Sequence, residues 1–278
     1  MLISTHINHA TASLLNMTRE MYRKNIEIAR ITKTCTLLLM SGISVSAIEP
    51  AIIKKCLSSQ NSDGGFVGNT DTIWNIKLLE YFPEFSDKRV AALRWLKADN
   101  GYEDGFGRSK RDMHRIPTTG LALYLLPELY TDEKALKWLE KTWISEKNSL
   151  TYKAAYTLLA FSKSSYQPEE ESILRETEDW LISQQEKSGG FAPWLQHPVG
   201  ENVYCTAIAT LGLITAGQKS YEAVKKAQNY LCATQLKSGI WPYHEIEDGS
   251  AWGLLALVKS ELFLEKQNEN IAGVSPTR

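Results

Sequence analysis

The sequence predicts an all-α protein, a single-domain (α/α)6 barrel, on three observations. First, a helix-ending pair, an aromatic or Cys followed by Leu, recurs at Cys56-Leu57, Trp95-Leu96, Trp138-Leu139, Trp180-Leu181 and Tyr230-Leu231. The leucines stand 39, 43, 42 and 50 residues apart, the period of a helical repeat array or toroid. Second, three of these pairs run into one turn signature: Gln60-x3-Gly64-Gly65-Phe66, Gln185-x3-Gly189-Gly190-Phe191 and Gln235-x3-Gly239-Ile240-Trp241. Third, each turn leads into an apolar helix rich in small residues, whereas the helix before it carries charge along one face. That contrast is expected of an inner ring of helices inside a solvent-facing outer ring. No alternating stretch argues for a sheet.

The elements follow in order. The first seventy residues supply one pair, Thr5–Tyr22 and Lys24–Met40. Outer helices are expected over Ala47–Ser59, Asp87–Ala98, Asp132–Ile144, Glu169–Gln185 and Tyr221–Gln235. Inner helices are expected over Asp71–Phe82, Pro117–Leu129, Ser149–Phe161, Asn202–Ala216 and Asp248–Phe263. In each turn a Gly ends the outer helix in a conformation that other residues resist, and the aromatic two places later folds back between neighbouring units. Asn100-Gly-Tyr-Glu-Asp-Gly-Phe106 is a worn copy, and the repeat between Trp138 and Ala160 has lost the signature. One barrel is expected over residues 1–266, with a polar, frayed tail over 267–278. No linker marks a second domain.

Composition narrows the function. The chain has 278 residues, 43% of them hydrophobic, and a formal charge of -1. That is ample core for one large domain, and it gives no general attraction for nucleic acid or an acidic membrane surface. Four cysteines (Cys35, Cys56, Cys205, Cys232) form no CxxC pair, which points to a reduced compartment. The N-terminus lacks a basic start followed by an apolar core, so no signal peptide is read there, and the apolar run Thr36–Val45 is too short to span a bilayer. A cytoplasmic protein with no membrane span and no nucleic-acid partner is expected. Its oligomeric state is not legible.

The Gln-x3-Gly-x-aromatic turns, above all Gln235–Trp241, resemble the QW motifs of the squalene–hopene cyclase and class II terpene cyclase group. The inner-helix barrel also resembles the β-subunits of protein prenyltransferases. The likeness covers most of Ala47–Phe263 and is a signal of fold more than of chemistry. Class II cyclases protonate an alkene with the central Asp of a DxDD motif that opens an inner helix and precedes Thr-Ala. Aligned on that motif, Asp248-Gly249-Ser250-Ala251 puts Asp248 at the proton-donating position, with Ile246 for the first acid and Gly249 for the third. The zinc prenyltransferases take an Asp, a Cys and a His from neighbouring inner helices. Here Cys205, Asp248 or Glu201, and His244 do not reproduce that spacing. No metal site and no cofactor are therefore expected, and Mg only if the substrate carries a diphosphate.

The candidate site gathers at the mouths of inner helices. Asp248, Glu247 and Glu245 form the densest acidic cluster, and burial among carboxylates raises the pKa that a general acid needs. Asp248 is the candidate acid, Glu247 and Asp71 tune charge, and His244 is a candidate base. Each has a plainer reading: Asp248 and Asp71 suit helix caps, and the glutamates suit a solvated loop. Aromatic walls to shield a carbocation would come from Trp74, Tyr152, Tyr156, Trp194, Tyr204, Tyr243 and Trp252, above all Tyr152, Trp194 and Tyr204, with Cys205 beside them; many aromatics of a helical repeat are simply core. The loop Gly107–Ile116, with Arg108, Lys110, Arg111, His114 and Arg115, would grip a diphosphate if it overhangs the mouth, or would be solvated surface charge. His197 and the pair Lys225-Lys226 carry no functional assignment. The expected activity is a metal-independent, acid-catalysed cyclase or isomerase of an isoprenoid or other polyunsaturated apolar molecule. The alternatives are prenyl transfer or a non-terpenoid cyclisation on the same barrel, or a non-catalytic isoprenoid-binding protein.

Overall fold

The computed structural model describes residues 2–98 and 105–273. Among them are twelve α-helices and no strand. They are α1 (Ile3–Arg23), α2 (Ile28–Met40), α3 (Pro50–Ser58), α4 (Asn69–Leu79), α5 (Ser86–Ala98) and α6 (Ile116–Leu125). The second half holds α7 (Lys134–Glu146), α8 (Thr151–Phe161), α9 (Ile173–Ser183), α10 (Val203–Ala216), α11 (Tyr221–Thr234) and α12 (Ile246–Gly273). The even-numbered helices pack in sequence, α2 on α4, α4 on α6, and onward until α12 returns to α2. The odd-numbered helices lie outside them, so the expected double ring is present and closed. Nearly every residue of α6, α8 and α10 is buried, whereas α1, α7 and α9 bury only one stripe.

The turn signature is a clasp. The side-chain amide of Gln60 donates to its own turn at Gly64 O (2.8 Å) and to Lys88 O of α5 (2.9 Å). Gln185 repeats this with Gly189 O (2.9 Å) and Ala223 O of α11 (2.8 Å). Gln235 bonds Gly239 O (2.9 Å) and His6 O of α1 (3.0 Å), which seals the last outer helix to the first. The signature aromatics Phe66, Phe191 and Trp241 are buried. Their backbone N–H groups donate to hydroxyls at the starts of inner helices: Thr72 (3.1 Å), Thr206 (2.9 Å) and Ser250 (3.1 Å). The worn copy lies mostly outside the described residues, but its Phe106 is buried and bonds Thr119 in the same way (2.8 Å).

Several helix limits differ from the sequence expectation. α6 stops at Leu125 rather than Leu129, because Pro127 restricts Leu126 to extended backbone and a 3-10 turn over Pro127–Asp132 follows. α9 begins at Ile173, four residues past Glu169. α12 begins at Ile246, so Asp248 sits inside its first turn rather than at its cap, and it continues past residue 266 to Gly273. The tail expected from 267 is thus helical up to that point, and 274–278 lie outside the described residues. Among the described residues no helix is long and apolar enough to cross a membrane.

Candidate functional site

A cavity of about 1130 Å³ opens at the mouth of the inner ring, on the side of α6, α8 and α10. The connection between α7 and α8 is only 147–150, with no clasp to fold across, and Glu146 and Leu150 edge the opening there. Tyr152 and Lys153 enter from α8, Tyr204 and Cys205 from α10, and Asp248 from α12. Tyr243 and His244 come from the α11–α12 loop, and Arg108, His114 and Arg115 from the α5–α6 loop.

Tyrosines form one wall. Tyr156 OH lies 3.1 Å from Tyr204 OH, and the Tyr204 ring stacks on Tyr243 with centroids 5.7 Å apart and 16° between planes. Burial first, then Tyr156 and Asp248, push the Tyr204 phenol well above its ordinary value. Tyr156 and Tyr243 shift the same way, again mainly through burial. These hydroxyls therefore stay protonated across the physiological range. Burial also pushes the Cys205 thiol up to about 11, against hydrogen bonds to Asn202 and Thr151 that lower it, so the sulfur is a thiol at neutral pH. Among the described residues no three His, Cys, Asp or Glu side chains converge to hold a metal ion.

The Asp248 side chain, 12% exposed, meets Lys33 of α2, with Nζ 2.6 Å from Oδ1. The contact is an ion pair by distance without the alignment of a hydrogen bond. Lys33 also lies over the Trp74 ring, 5.6 Å from its centroid. Glu247, one residue away, turns toward α2 and pairs with Arg30.

No family model matches the sequence. A search of solved structures finds MstE, a type II terpene cyclase from Scytonema, which superposes in its apo form with a TM-score of 0.73 at 16% identity, over 94% of this chain and 98% of its own. The fold is that of a type II terpene cyclase. A variant of MstE in complex with its substrate, geranylgeranyl dihydroxybenzoate, matches with a TM-score of 0.72 at 15% identity and the same coverage. A lanosterol synthase from Pneumocystis carinii is 24% identical over 216 residues, 69% of this chain. This chain spans 28% of that relative's length.

Within this cyclase fold the residues expected from sequence divide into two groups. Asp248, His244, Tyr152, Tyr204, Cys205, His114 and Arg115 come together around the cavity. Glu247 does not: it is buried against Arg30, so it cannot tune Asp248 from within a shared acidic cluster. Asp71 is away from the cavity as well. Burial, with a smaller contribution from Glu27, raises its carboxyl above the usual range. Trp74 and Trp252 are buried against each other, edge to face at 5.7 Å, and fill the ring instead of lining the hollow. Trp194 is 44% exposed and packs on His197 at 4.1 Å, outside the lining. Arg111 is exposed and also outside it.

Two contributors escaped the sequence reading. His197, given no role, lines the cavity from the α9–α10 loop. Lys33 had no local signal, because its partner is 215 residues away in a helix that meets α2 only when the ring closes.

Proposed function

We propose that this chain is a metal-independent cyclase or isomerase that protonates an alkene of an isoprenoid or similar polyunsaturated small molecule. The observation that carries the reading is the Asp248 carboxyl on the wall of a cavity inside the inner ring, faced by stacked and hydrogen-bonded tyrosines. A volume of about 1130 Å³ lies just above the usual range of small-molecule sites, roughly 300–1,000 Å³. Asp248 supplies the proton, and the faces of Tyr204 and Tyr243 stabilise the cation that follows. His244, on the rim, takes a proton at the end. Arg108, His114 and Arg115 gather at the opposite rim and suit an anionic or strongly polar head group. A Mg ion enters only if that head is a diphosphate. The likeness in fold to MstE supports the class of reaction and leaves the substrate to be found.

The experiment is to identify, by mass spectrometry, small molecules retained by the purified protein and to incubate them with wild type and Asp248→Asn. Conversion by the wild type and a loss of about 10²–10⁴-fold in the variant, with the fold intact, is the expected result. The Lys33 ion pair favours one rival, a binding protein, since an ammonium beside the carboxyl competes with the proton that an acid must hold. On that reading the ligand emerges unchanged and Asp248→Asn alters affinity alone.

A further inference from the structure

We infer that Lys33 is a positioning residue through which Asp248 is loaded: the two side chains hold one transferable proton between them and act as a unit. The inference rests on the reading of Asp248 as the acid. Lys33 comes from α2, the helix on which the ring closes, and its Nζ is 2.6 Å from Asp248 Oδ1. It does not line the cavity. Its other face is occupied by the Trp74 ring, and beyond that ring Trp252 is fully buried.

Such a pair has two forms, ammonium with carboxylate and amine with carboxylic acid. Solvent in the open mouth favours the ionic form. An apolar guest that displaces solvent lowers the local dielectric, and taking two charges out of water is costly. Rotation of the ammonium about its 2.6 Å contact then brings an N–H into line with Oδ1, and the proton moves from Lys33 Nζ to Asp248. In the chemical step the O–H bond of Asp248 breaks as a C–H bond forms on the alkene, leaving carboxylate, amine and carbocation. Loss of a proton from the cation, returned to Lys33 through Asp248 or the rim, restores the starting pair, so no proton is consumed. His244 shares the cavity lining with Asp248, and the other neighbours hold their own protons or partners. Glu247 of α12 is matched by Arg30 of α2, Asp71 of α4 feels Glu27, and the facing phenols of Tyr156, Tyr204 and Tyr243 stay protonated.

One consequence separates a proton relay from simple charge pairing. A pair that shares one proton keeps the acid loaded independently of the bulk pH, whereas a carboxyl without the amine must draw its proton from solvent. The test uses the full chain, farnesol as probe and D2O as solvent. Addition of a deuteron to the vinylic CH of the terminal alkene and loss of the original proton from that same carbon place deuterium at the vinylic position, read by mass spectrometry, and the tyrosine resonances report that farnesol fills the cavity. Wild-type exchange should be flat from about pH 5 to 9. Lys33→Met should exchange at low pH and then fall about tenfold per pH unit above the carboxyl range. Lys33→Arg keeps the charge but cannot release its proton, and should lose at least about 100-fold above the carboxyl range.

Near-wild-type exchange in Lys33→Arg with none in Lys33→Met would mean that Lys33 acts by charge alone, and overturns the relay. A flat profile in Lys33→Met overturns it too. The 15N signal of Lys33 in the wild type needs no variant: it should lose its ammonium character when farnesol binds, and persistence of the ammonium in the filled cavity defeats the inference. A wild type that binds farnesol yet exchanges nothing at any pH, with its Lys33 proton transferred, instead defeats the reading of Asp248 as the acid.

Discussion

The two sides of the inner ring are built from one repeat, yet one side is filled and the other hollow. The hydroxyl that receives the turn aromatic's N–H sets a common register: Thr72 in α4, Thr119 in α6, Thr206 in α10 and Ser250 in α12. Two residues later α4 and α12 carry Trp74 and Trp252, whose rings meet across α2. At the same level α6 and α10 carry Leu121 and Ile208. Large rings plug the α12–α2–α4 side, and smaller side chains with a four-residue α7–α8 connection leave the other side open. The clasps make the ring; the residues at one level of it decide where the hollow lies.

Removing the plug should have the largest effect on the fold. Trp74 is 3% exposed, and Trp74→Ala should cost about 3–5 kcal/mol. If the filled side is only a plugged version of the open one, the variant also gains space toward α2 and takes a longer apolar ligand than the wild type. Thermal unfolding and ligand competition read the two effects. A loss of stability with no change in ligand length would show that the sides differ in backbone as well as in side chains.

The clasps are common to both sides, so damage to one should not respect the division. At Gly239, with φ +85°, an added Cβ would lie 2.4 Å from His9 O, where α11 is sealed to α1. Gly239→Ala should cost about 2–4 kcal/mol from backbone strain and displacement together. Gly217, with φ +109° but open space around its Cβ, is the control and should cost about 1–2 kcal/mol, strain alone. Urea unfolding followed by fluorescence compares them. Equal losses would mean that the close approach to α1 contributes nothing.

The ring was legible because its determinants are local and repeated. Gln, Gly and the aromatic lie within seven residues in each clasp, and the helices carry their own apolar period. Asp248 and Tyr204 were legible because they stand at positions that a repeat brings to the mouth. Glu247 was misread for a physical reason: neighbours in a helix diverge by about 100°, so a run of acids in sequence is not a cluster in space. Trp74 and Trp252 were misread because each suits a cavity wall when alone, and only their meeting across α2 makes them a plug. The pair Lys33–Asp248 depends on ring closure, which no short window of sequence contains.

The smallest effect compares two acids at the starts of α12 and α4, the inner helices that flank α2. Asp248 has an ammonium beside it, whereas Asp71 in the first turn of α4 has burial and the Glu27 carboxylate instead. The raised carboxyl of Asp71 costs stability at neutral pH. As pH rises the unfolded chain gives up its proton first, so stability is full below the ordinary value near 3.8 and is lost as pH passes through the folded value. Asp71→Asn should therefore raise the thermal midpoint at pH 7 by a few degrees at most, and the gain should vanish at pH 3.5. A gain of equal size at both pH values would mean that the amide makes new bonds, and no gain at pH 7 would mean that solvent already relieves the charge. At Asp248 the same exchange leaves Lys33 without its partner, so it should lower the midpoint at pH 7, and that opposite sign makes the pair of variants a direct test of which of the two helix starts carries the compensated acid.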